Sequence, residues 1–272
     1  MTEAIIEVEH LTRSYGTFTA VNDVSFRVAP GEIFAFLGPN GAGKTTTIKV
    51  LTTLLRPTAG MVRIAGHDPV TDQDAVRRSF GIVFQDPSLD DELTAAENLE
   101  FHGVLYGVPR SIRRERIAQL LELVELVERR DDLVKHFSGG MKRRLEIARG
   151  LLHHPRILFL DEPTIGLDPQ TRAHLWDYVR ELNRSEGITI FLTTHLMEEA
   201  ERVAQRIAII DHGQLVAQGT VAELKRTTKT RSLEDAFLAI TGRTIRAETV
   251  DAADRLRDQG RIWGRSRARR TR

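Results

Sequence analysis

Residues 38–45 have the types and the spacing of a loop that binds phosphate. They read Gly-Pro-Asn-Gly-Ala-Gly-Lys-Thr, a glycine followed after four residues by Gly-Lys-Thr. The glycines let successive backbone N–H groups point at one phosphate, and a helix that begins here adds positive potential. Lys44 is then expected to reach the β- and γ-phosphates of a nucleotide, and the Thr45 hydroxyl to ligate Mg²⁺. The alternative is a glycine-rich turn that carries a surface lysine.

Two acids, Asp161 and Glu162, follow the apolar run of residues 157–160. Asp161 can orient Mg²⁺ through water there, and Glu162 can polarise an attacking water. Two acids after a strand are ordinarily solvated loop residues, but a phosphate loop earlier in the chain favours the second half of a nucleotide site. His195 follows the run 188–194 and can donate to a γ-phosphate, although its local sequence equally fits a helix N-cap or a loop.

The elements that must position these residues follow from the apolar pattern. Short apolar runs alternate with helical spacing, which predicts an α/β fold. Strands are predicted at residues 5–8, 24–28, 33–37, 61–64, 81–84, 157–160, 188–192, 207–210 and 215–217. Helices are predicted to begin near residues 43, 74, 94, 111, 139, 169, 196, 220 and 233. Residues 87–154 show helical spacing only, which predicts a helical subdomain inserted between two halves of a sheet.

Composition and charge exclude several classes of function. The 272 residues include no cysteine, which excludes disulfide scaffolds, thiolate metal sites and thiol nucleophiles. No apolar run approaches the ~18 residues of a membrane span, and we expect no secretory signal because no basic region leads into an apolar one at the N-terminus. The net charge of +1 combines +6 in residues 243–272 with −5 in residues 1–242, so no nucleic-acid partner is expected. The arginine-rich residues 261–272 are expected to be disordered; they either contact anionic lipid or form a solvated terminus.

Five motifs in chain order resemble those of the nucleotide-binding subunit of ATP-binding-cassette (ABC) transporters. They are the phosphate loop, Gln85 after strand 81–84, Ser138-Gly139-Gly140-Met141, residues 160–164 followed by Gly166-Leu167-Asp168, and Thr194-His195. The resemblance covers about residues 4–225. It implies an α/β phosphate-loop cassette with a mixed sheet core, in which a nucleotide-binding domain of residues 1–225 carries the helical subdomain at about 87–154. Residues 226–272 are then a short C-terminal extension.

The resemblance also implies ATP and Mg²⁺ as cofactors and assigns a role to each motif. Contacts with ATP are implied for Tyr15, Gly38, Pro39, Asn40, Gly41, Ala42, Gly43, Lys44, Thr45, Thr46, Ser138, Gly139, Gly140 and Asp168. Contacts with Mg²⁺ are implied for Thr45, Gln85 and Asp161. In catalysis Glu162 is the general base, His195 contacts the γ-phosphate, and Gln85 contacts the attacking water. Locally, Tyr15 fits a packed strand-end tyrosine as well as a ring stacked on adenine, and Ser138 fits a plain helix cap.

The partners implied are a second copy of the chain and a membrane permease. Two copies would pair head to tail, with two ATP molecules between the phosphate loop of one and Ser138–Gly140 of the other, and with Asp168 coupling the sites. Because no membrane span is expected, an integral membrane permease subunit would hold the chain at the cytoplasmic face of the cell membrane. Its contact is expected near residues 85–93 and the following helix, including Leu99, Phe101 and Tyr106, unless these side chains fill the subdomain core.

Two stretches indicate the branch of the family. Residues 137–144 (FSGGMKRR) and 161–168 (DEPTIGLD) resemble the daunorubicin-resistance and related exporters, as do residues 232–237. Relative to the commoner family pattern, Met141 replaces a glutamine, Phe137 a leucine and Ile165 a small hydroxyl residue. The function implied is ATP hydrolysis that powers export of a drug-like, lipid or polysaccharide substrate.

Three other functions compete with export. Soluble ABC ATPases of DNA repair or translation usually carry two cassettes in one chain or a long coiled-coil insertion, whereas this sequence has one cassette and no sustained heptads. A non-catalytic regulatory module would have lost Lys44, Asp161, Glu162 or His195, all of which are present. An importer cassette stays open as the nearest alternative.

Overall fold

The computed structural model describes residues 4–242, which form two β-sheets and the helices that cover them. The strands are β1 (Ile6–Tyr15), β2 (Phe18–Val28), β3 (Ile33–Leu37), β4 (Ala59–Ile64), β5 (Phe80–Val83), β6 (Ile157–Asp161), β7 (Thr189–Thr194), β8 (Arg206–Asp211) and β9 (Gln214–Gly219). The helices are α1 (Lys44–Leu51), α2 (Gln73–Ser79), α3 (Ala95–Leu105), α4 (Arg110–Leu123), α5 (Gly139–Leu151), α6 (Pro169–Glu186), α7 (Met197–Val203), α8 (Val221–Thr228) and α9 (Leu233–Thr241).

The larger sheet has the strand order β5-β6-β7-β3-β8-β9. Its first five strands are parallel and β9 is antiparallel to β8, so the sheet is mixed. The smaller sheet is antiparallel and has the order β2-β1-β4. The mixed sheet core and the helices between β5 and β6 confirm the fold class expected from the sequence.

The larger sheet buries a different set of side chains on each face. Alternate residues along β3 separate, so that Phe34 and Phe36 join the core shared with the smaller sheet while Ala35 and Leu37 join the core shared with the covering helices. The rings of Phe26 from β2 and Phe34 stack with centroids 5.6 Å apart. Strands that are buried on both faces have continuous apolar sequences, which is why β3 and β6 could be predicted from the sequence.

Predicted element boundaries agree closely with the structure, except in β1 and β2. Every predicted helix start lies within one residue of the observed one. β1 and β2 extend well beyond the predicted residues 5–8 and 24–28. The predicted strands were too short because polar residues interrupt the apolar run along the rest of each strand. Their backbones pair with each other, and β1 also pairs with β4, so a strand continues where the apolar run has stopped.

The first of the inserted helices, α3, begins with a side-chain cap formed by neighbouring residues. At the start of α3, Thr94 accepts a hydrogen bond from the Glu97 N–H, and the Glu97 carboxylate accepts one from the Thr94 N–H. This reciprocal cap satisfies two N–H groups that the helix leaves unpaired. In residues 4–242, no helix is both long enough and apolar enough to cross a bilayer.

The end of the described chain packs into the core of the covering helices. Leu233 and Phe237 of α9 are buried there, beside α7 and α8. The arginine-rich residues 261–272, and the expectation of their disorder, lie outside the described residues.

Candidate nucleotide site

The phosphate loop connects β3 to α1, as its chemistry requires. Gly43 has φ of 110°, a conformation that side chains resist, and a Cβ there would lie 2.7 Å from the Ala20 carbonyl oxygen. A Cβ at Gly38 would lie 2.3 Å from the Ile210 carbonyl oxygen. Both positions therefore require glycine to bring the loop backbone close to its neighbouring strands. Asn40, Gly41 and Thr45 are exposed at the surface of this loop.

Lys44 is folded back over its own loop rather than extended into solvent. Its side chain is 5% exposed, and Nζ donates to the carbonyl oxygens of Gly38 at 2.8 Å and Pro39 at 3.3 Å. The third partner is Glu162, whose Oε1 lies 3.1 Å from Nζ. These contacts exclude the interpretation of Lys44 as a surface lysine. They place a buried ammonium between the phosphate loop and the end of β6.

The neighbouring strands β6, β7 and β3 end at one edge of the sheet. Asp161 lies opposite Thr193 in the β6–β7 pairing, and Leu37 lies opposite Thr194 in the β3–β7 pairing. The carboxyl ends of parallel strands are the usual ligand edge of an α/β sheet. Asp161, Glu162, His195 and the phosphate loop are thus brought together although they are far apart in sequence.

Thr193 anchors both acids at this edge. Its hydroxyl donates to Asp161 Oδ1 at 2.6 Å and accepts from the Glu162 N–H at 3.1 Å. Burial raises the pKa of Asp161, an effect opposed by Thr193, Lys44 and the Thr45 hydroxyl. Sequence reasoning missed Thr193, since a polar residue near the end of a buried strand was its only signal.

Glu162 has the surroundings of a general base held in one orientation. Its φ of 48° is left-handed, an unusual conformation for a residue with a side chain and one that clusters at functional sites. Oε2 lies 3.0 Å from His195 Nδ1. Burial by itself would raise the pKa of Glu162, but the hydrogen bond with His195 and the charge of Lys44 outweigh it and hold the pKa below its ordinary value. Glu162 is therefore ionised at neutral pH.

Gln85 follows β5 and lies beyond the same sheet edge, because Val83 pairs with Leu160 of β6. Its side chain is exposed, while its backbone is held from α5. Arg143 donates to the carbonyl oxygens of Phe84 at 2.6 Å and Gln85 at 3.0 Å. Arg143 is itself buried, and its Nη1 pairs with Glu146 at 3.0 Å.

Glu146 and Arg149 extend this contact to Ser88. Glu146 accepts from the Ser88 N–H at 2.9 Å, and Arg149 donates to the Ser88 carbonyl oxygen at 2.6 Å. Burial raises the pKa of Glu146, although the positive charge of Arg143 acts to lower it. Arg143, Glu146 and Arg149 are called the α5 clamp below. The clamp fixes the loop that carries Gln85 to α5, the helix that Ser138 caps.

Gly139 and Gly140 lie beside the start of α6, next to Leu167 and Thr171 respectively. Ser138 Oγ accepts from the Met141 N–H at 3.3 Å, so the local expectation of a helix cap is confirmed. A Cβ on Gly140 would lie 2.4 Å from Thr171 Cγ2. Within residues 4–242, no hydrogen bond joins residues 138–140 to residues 38–46.

Asp168 and Tyr15 each have a local contact besides the role that was expected. Asp168 caps α6 by accepting from the N–H groups of Gln170 at 3.0 Å and Thr171 at 2.9 Å. The Thr171 hydroxyl holds the pKa of Asp168 below its ordinary value. Tyr15 is 44% exposed at the tip of the β1–β2 hairpin, with the Arg13 guanidinium 4.7 Å from its ring centroid. The stacking of Tyr15 on adenine stays a prediction.

The helical subdomain carries a cavity of about 210 Å³ beside the α5 clamp. It is lined by Ser88, Asp90, Leu93, Asn98, Phe101, His102, Leu105 and Arg149. Phe101 is 61% exposed at its rim, as expected for a contact surface. Leu99 instead fits the alternative of a core side chain, because it is fully buried. Tyr106 is half-buried and stacks on His153.

The donor groups at the sheet edge fit Mg²⁺. Asp161 supplies a buried carboxylate beside the Thr45 hydroxyl, and Gln85 carries an amide oxygen on the neighbouring loop. Mg²⁺ prefers a few oxygen ligands together with substrate phosphates, rather than a cage built by the protein. Accordingly, in the part of the chain that the structure describes, no group of three or more His, Asp or Glu side chains is placed to hold a metal alone.

Known proteins with related sequences carry the same elements. A family model described as "ABC transporter" matches residues 21–165. The daunorubicin/doxorubicin resistance ATP-binding protein DrrA of Streptomyces peucetius is 47% identical over 220 residues, which are 81% of this chain and 66% of that protein. The Nod factor export ATP-binding protein I of Paraburkholderia xenovorans is 45% identical over 225 residues, or 82% of this chain and 73% of that protein. The chain thus spans about two thirds of the length of the DrrA proteins it matches.

Solved structures agree with the fold. An ATP-binding subunit of an ABC transporter has a TM-score of 0.79 and 33% identity, over 87% of this chain and 99% of that one. A dimeric, post-hydrolysis form of the ATP-binding cassette MJ0796, bound to ADP and Pi, has a TM-score of 0.71 and 28% identity, over 79% of this chain and 98% of that one. The resemblance to the daunorubicin-resistance branch is confirmed by the relatives. With just over half of its residues matched by the family model, this chain belongs to the ABC transporter family.

Proposed function

We propose that this chain binds and hydrolyses ATP to drive an exporter whose membrane permease is a separate subunit. One observation carries the proposal: Lys44, Asp161, Glu162 and His195 meet beside a phosphate loop at one sheet edge. A buried ammonium, a buried carboxylate and an ionised glutamate paired with histidine are the groups needed for transfer of a phosphoryl group to water. Family membership supports the same activity.

The geometry supports an order of events at Lys44 and Glu162. Lys44 Nζ is 3.1 Å from Glu162, within the loop that would cradle the phosphates of ATP. The γ-phosphate competes for this ammonium, so binding of ATP releases Glu162 from the ion pair. Glu162 then accepts a proton from the attacking water, while His195 keeps its carboxylate oriented and contacts the γ-phosphate. Mg²⁺, held by Thr45, Asp161 and Gln85, would neutralise charge on the phosphate oxygens.

We infer that a second copy of the chain completes each site. Ser138–Gly140 make no hydrogen bond to their own phosphate loop within residues 4–242, although a helix N-terminus with bare glycines suits a phosphate. A head-to-tail dimer would bring them to the ATP of the partner, with Asp168 at the interface. The dimeric state in which the similar MJ0796 cassette was solved supports this arrangement.

We infer further that the permease docks on the helical subdomain. The cavity near Ser88 and the exposed apolar side chains of Phe101, Val104 and Leu105 on α3 form a surface suited to a protein partner. The α5 clamp connects that surface to Gln85, so docking and the nucleotide site would move together. Through this contact the chain would sit at the cytoplasmic face of the membrane.

The names of the relatives guide the choice of substrate. These relatives are named for daunorubicin and doxorubicin resistance, linearmycin resistance and Nod factor export. We propose efflux of a drug-like, lipid or polysaccharide compound on that basis. The division into a nucleotide-binding domain of residues 1–225 and an extension of residues 226–272 stays a prediction.

The ATPase assignment is tested with Glu162→Gln, which keeps the shape of the side chain and removes the base. We expect turnover to fall by about 10²-fold or more while ATP binding persists. Hydrolysis at the parental rate would remove Glu162 from the mechanism.

The transport assignment is tested by purifying the tagged chain from gently solubilised native membranes. A polytopic membrane protein recovered in comparable amount supports the exporter and supplies the subunit through which to seek the substrate. Recovery of soluble partners alone, such as ribosomes or repair proteins, would overturn the exporter assignment and leave the ATPase intact.

A further inference from the structure

A buried glutamate on α7, Glu199, joins the loops that carry three of the site residues. Glu199 is 6% exposed and lies four residues after His195. Its Oε2 accepts from the Thr194 hydroxyl at 3.0 Å and from the Thr164 hydroxyl at 2.9 Å. Both threonines are themselves 2% exposed. Glu199 therefore binds the residue next to His195 and the residue two positions after Glu162.

The opposite oxygen of Glu199 faces α6. The Arg172 Nε lies 3.5 Å from Glu199 Oε1, and Arg172 Nη2 donates to the Leu167 carbonyl oxygen at 3.3 Å. Leu167 directly precedes Asp168, the cap of α6. One carboxylate thus contacts the loop of Glu162, the loop of His195 and, through Arg172, the turn that leads to Asp168.

This arrangement bears on catalysis because Glu162 is held in a strained conformation. Its left-handed φ of 48° persists only where neighbouring contacts fix the backbone on both sides. Thr193 fixes the N–H of Glu162, and the next hydrogen-bonded side chain along the loop is Thr164. A loss of Glu199 would free Thr164 and Thr194 together, so both the base and its histidine partner would lose orientation.

We propose that Glu199 is a positioning residue that sets the relative geometry of Glu162, His195 and the turn before Asp168. This inference rests on the proposed ATPase function. Glu199 touches no phosphate in this scheme; it acts through Thr164, Thr194 and Arg172. Errors of about 1 Å in the placement of a catalytic group lower rates by about 10²-fold, so the effect belongs to turnover rather than to binding of ATP.

The test compares Glu199→Ala with Glu199→Gln in the full chain. An amide oxygen still accepts two hydroxyl donors, so the glutamine variant retains the contacts with Thr164 and Thr194. We expect Glu199→Ala to lower kcat about 10-fold to 100-fold with KM for MgATP unchanged within about threefold. Glu199→Gln is expected to recover kcat to within about threefold of the parent. Glu198 is its exposed neighbour, so Glu198→Ala is the matched control and leaves both constants unchanged.

Amide hydrogen exchange provides a readout that is independent of activity. We expect Glu199→Ala to speed exchange in residues 162–168 and 194–197 together, with the sheet core as slow as in the parent. Thr194→Val removes one of the two hydroxyls and is expected to affect the second segment alone. This variant preserves the test if Glu199→Ala folds poorly.

The possible outcomes separate the positioning role from the ATPase assignment. A folded Glu199→Ala variant with the parental kcat would overturn the inference. The inference would also fail if Glu199→Ala lowers kcat, Glu199→Gln does not restore it, and amide exchange becomes faster throughout the chain. A parent chain without turnover would instead count against the proposed function. In that case the positioning role of Glu199 would be tested only by amide exchange in residues 162–168 and 194–197.

Discussion

At the scale of single residues, the nucleotide site is organised by the contact between Lys44 and Glu162. Both side chains are buried, with Nζ and Oε1 3.1 Å apart. A buried ion pair costs desolvation that only good geometry repays, and removing one partner leaves the other charge uncompensated. In the proposed mechanism, the phosphate of ATP replaces Glu162 as the partner of Lys44. The same lysine would then serve both the stability of the site and the binding of its substrate.

The first prediction concerns Lys44→Ala. Loss of a charged hydrogen bond to phosphate is worth about 1.5–3 kcal/mol, so ATP affinity should fall about 10-fold to 150-fold. The same change isolates the Glu162 carboxylate and should destabilise the chain by about 3–5 kcal/mol. Nucleotide titration and urea unfolding measure the two effects.

Two companion variants sharpen this prediction. Adding Glu162→Gln to Lys44→Ala removes the isolated charge and should restore much of the lost stability, but not the ATP affinity. Lys49→Ala, on the exposed side of the same helix, should change neither quantity. Unaltered ATP affinity in Lys44→Ala would exclude the phosphate loop as the binding site.

At the scale of elements, α5 connects the predicted dimer surface to the predicted permease surface. Ser138 caps its first turn, and the α5 clamp holds residues 84–88 along its length. Close approach of α5 to the sheet depends on Gly81, where a Cβ would lie 2.2 Å from the Gly150 carbonyl oxygen. A helix fixed in this way moves with the loop that carries Gln85, which is what coupling of nucleotide state to a partner requires.

The second prediction tests the buried pair of the clamp. Arg143→Ala or Glu146→Ala leaves one buried charge alone and should reduce the free energy of unfolding by about 3–5 kcal/mol. The double variant Arg143→Met, Glu146→Leu removes both charges and should recover most of that loss. Urea unfolding measures each. Arg144→Ala breaks the more exposed pair with Glu125 on the same helix and should cost less than about 1 kcal/mol. Equal losses for Arg143→Ala and Arg144→Ala would contradict the prediction.

The third prediction concerns pH and the contact between α3 and α5. The Tyr106 ring stacks on His153 with centroids 4.0 Å apart and contacts His102 at 4.6 Å. Burial, with the charge of Arg149 as a second cause, lowers the pKa of His102 to about 3, and burial lowers that of His153 to about 4. Both imidazoles are therefore neutral in the folded chain, whereas an unfolded histidine titrates at about 6.5.

Between pH 6.5 and about 4 the unfolded state thus binds more protons, and stability falls as the pH falls. Each histidine should contribute about 1.4 kcal/mol per pH unit in the middle of this range. Urea unfolding at pH 7.5, 6.0 and 5.0 measures the slope. His153→Gln should reduce it, whereas His136→Gln, at an exposed site, should not. A slope that His153→Gln leaves intact would assign the acid sensitivity to other groups.

At the scale of the whole molecule, we propose that the site is divided between two copies. The phosphate loop and Glu162 lie at one sheet edge, while Gly139 lies beside Leu167 and Gly140 beside Thr171. Within residues 4–242, residues 138–140 make no hydrogen bond to that loop. In this proposal a single chain holds both halves of a site without joining them. Hydrolysis would separate a dimer held together by its substrate, so blocking hydrolysis should preserve the dimer.

The fourth prediction is that Glu162→Gln forms a dimer in the presence of ATP, measured by light scattering. The decisive test adds Gly139→Ala to Glu162→Gln. A Cβ at residue 139 would lie 3.6 Å from Leu167 Cδ2, which is an ordinary van der Waals contact, so the substitution should not affect folding. A methyl group at the phosphate would weaken a charged hydrogen bond, so the ATP concentration needed for dimerisation should rise about 10-fold. Identical ATP dependence in the two variants would exclude Gly139 from the interface.

The amino-acid sequence by itself determined the features that depend on neighbouring residues. The phosphate loop is contiguous, the buried strands are unbroken apolar runs, and the caps at Thr94 and Ser138 act within one turn, so each could be predicted locally. Only the tertiary structure decided which buried polar side chains form hydrogen bonds with one another. Arg143, Thr193 and Glu199 are polar residues in or beside apolar patterns, and their partners are set by which elements pack together. A buried polar group must find a partner wherever the fold provides one, and hydrophobic periodicity does not contain that information.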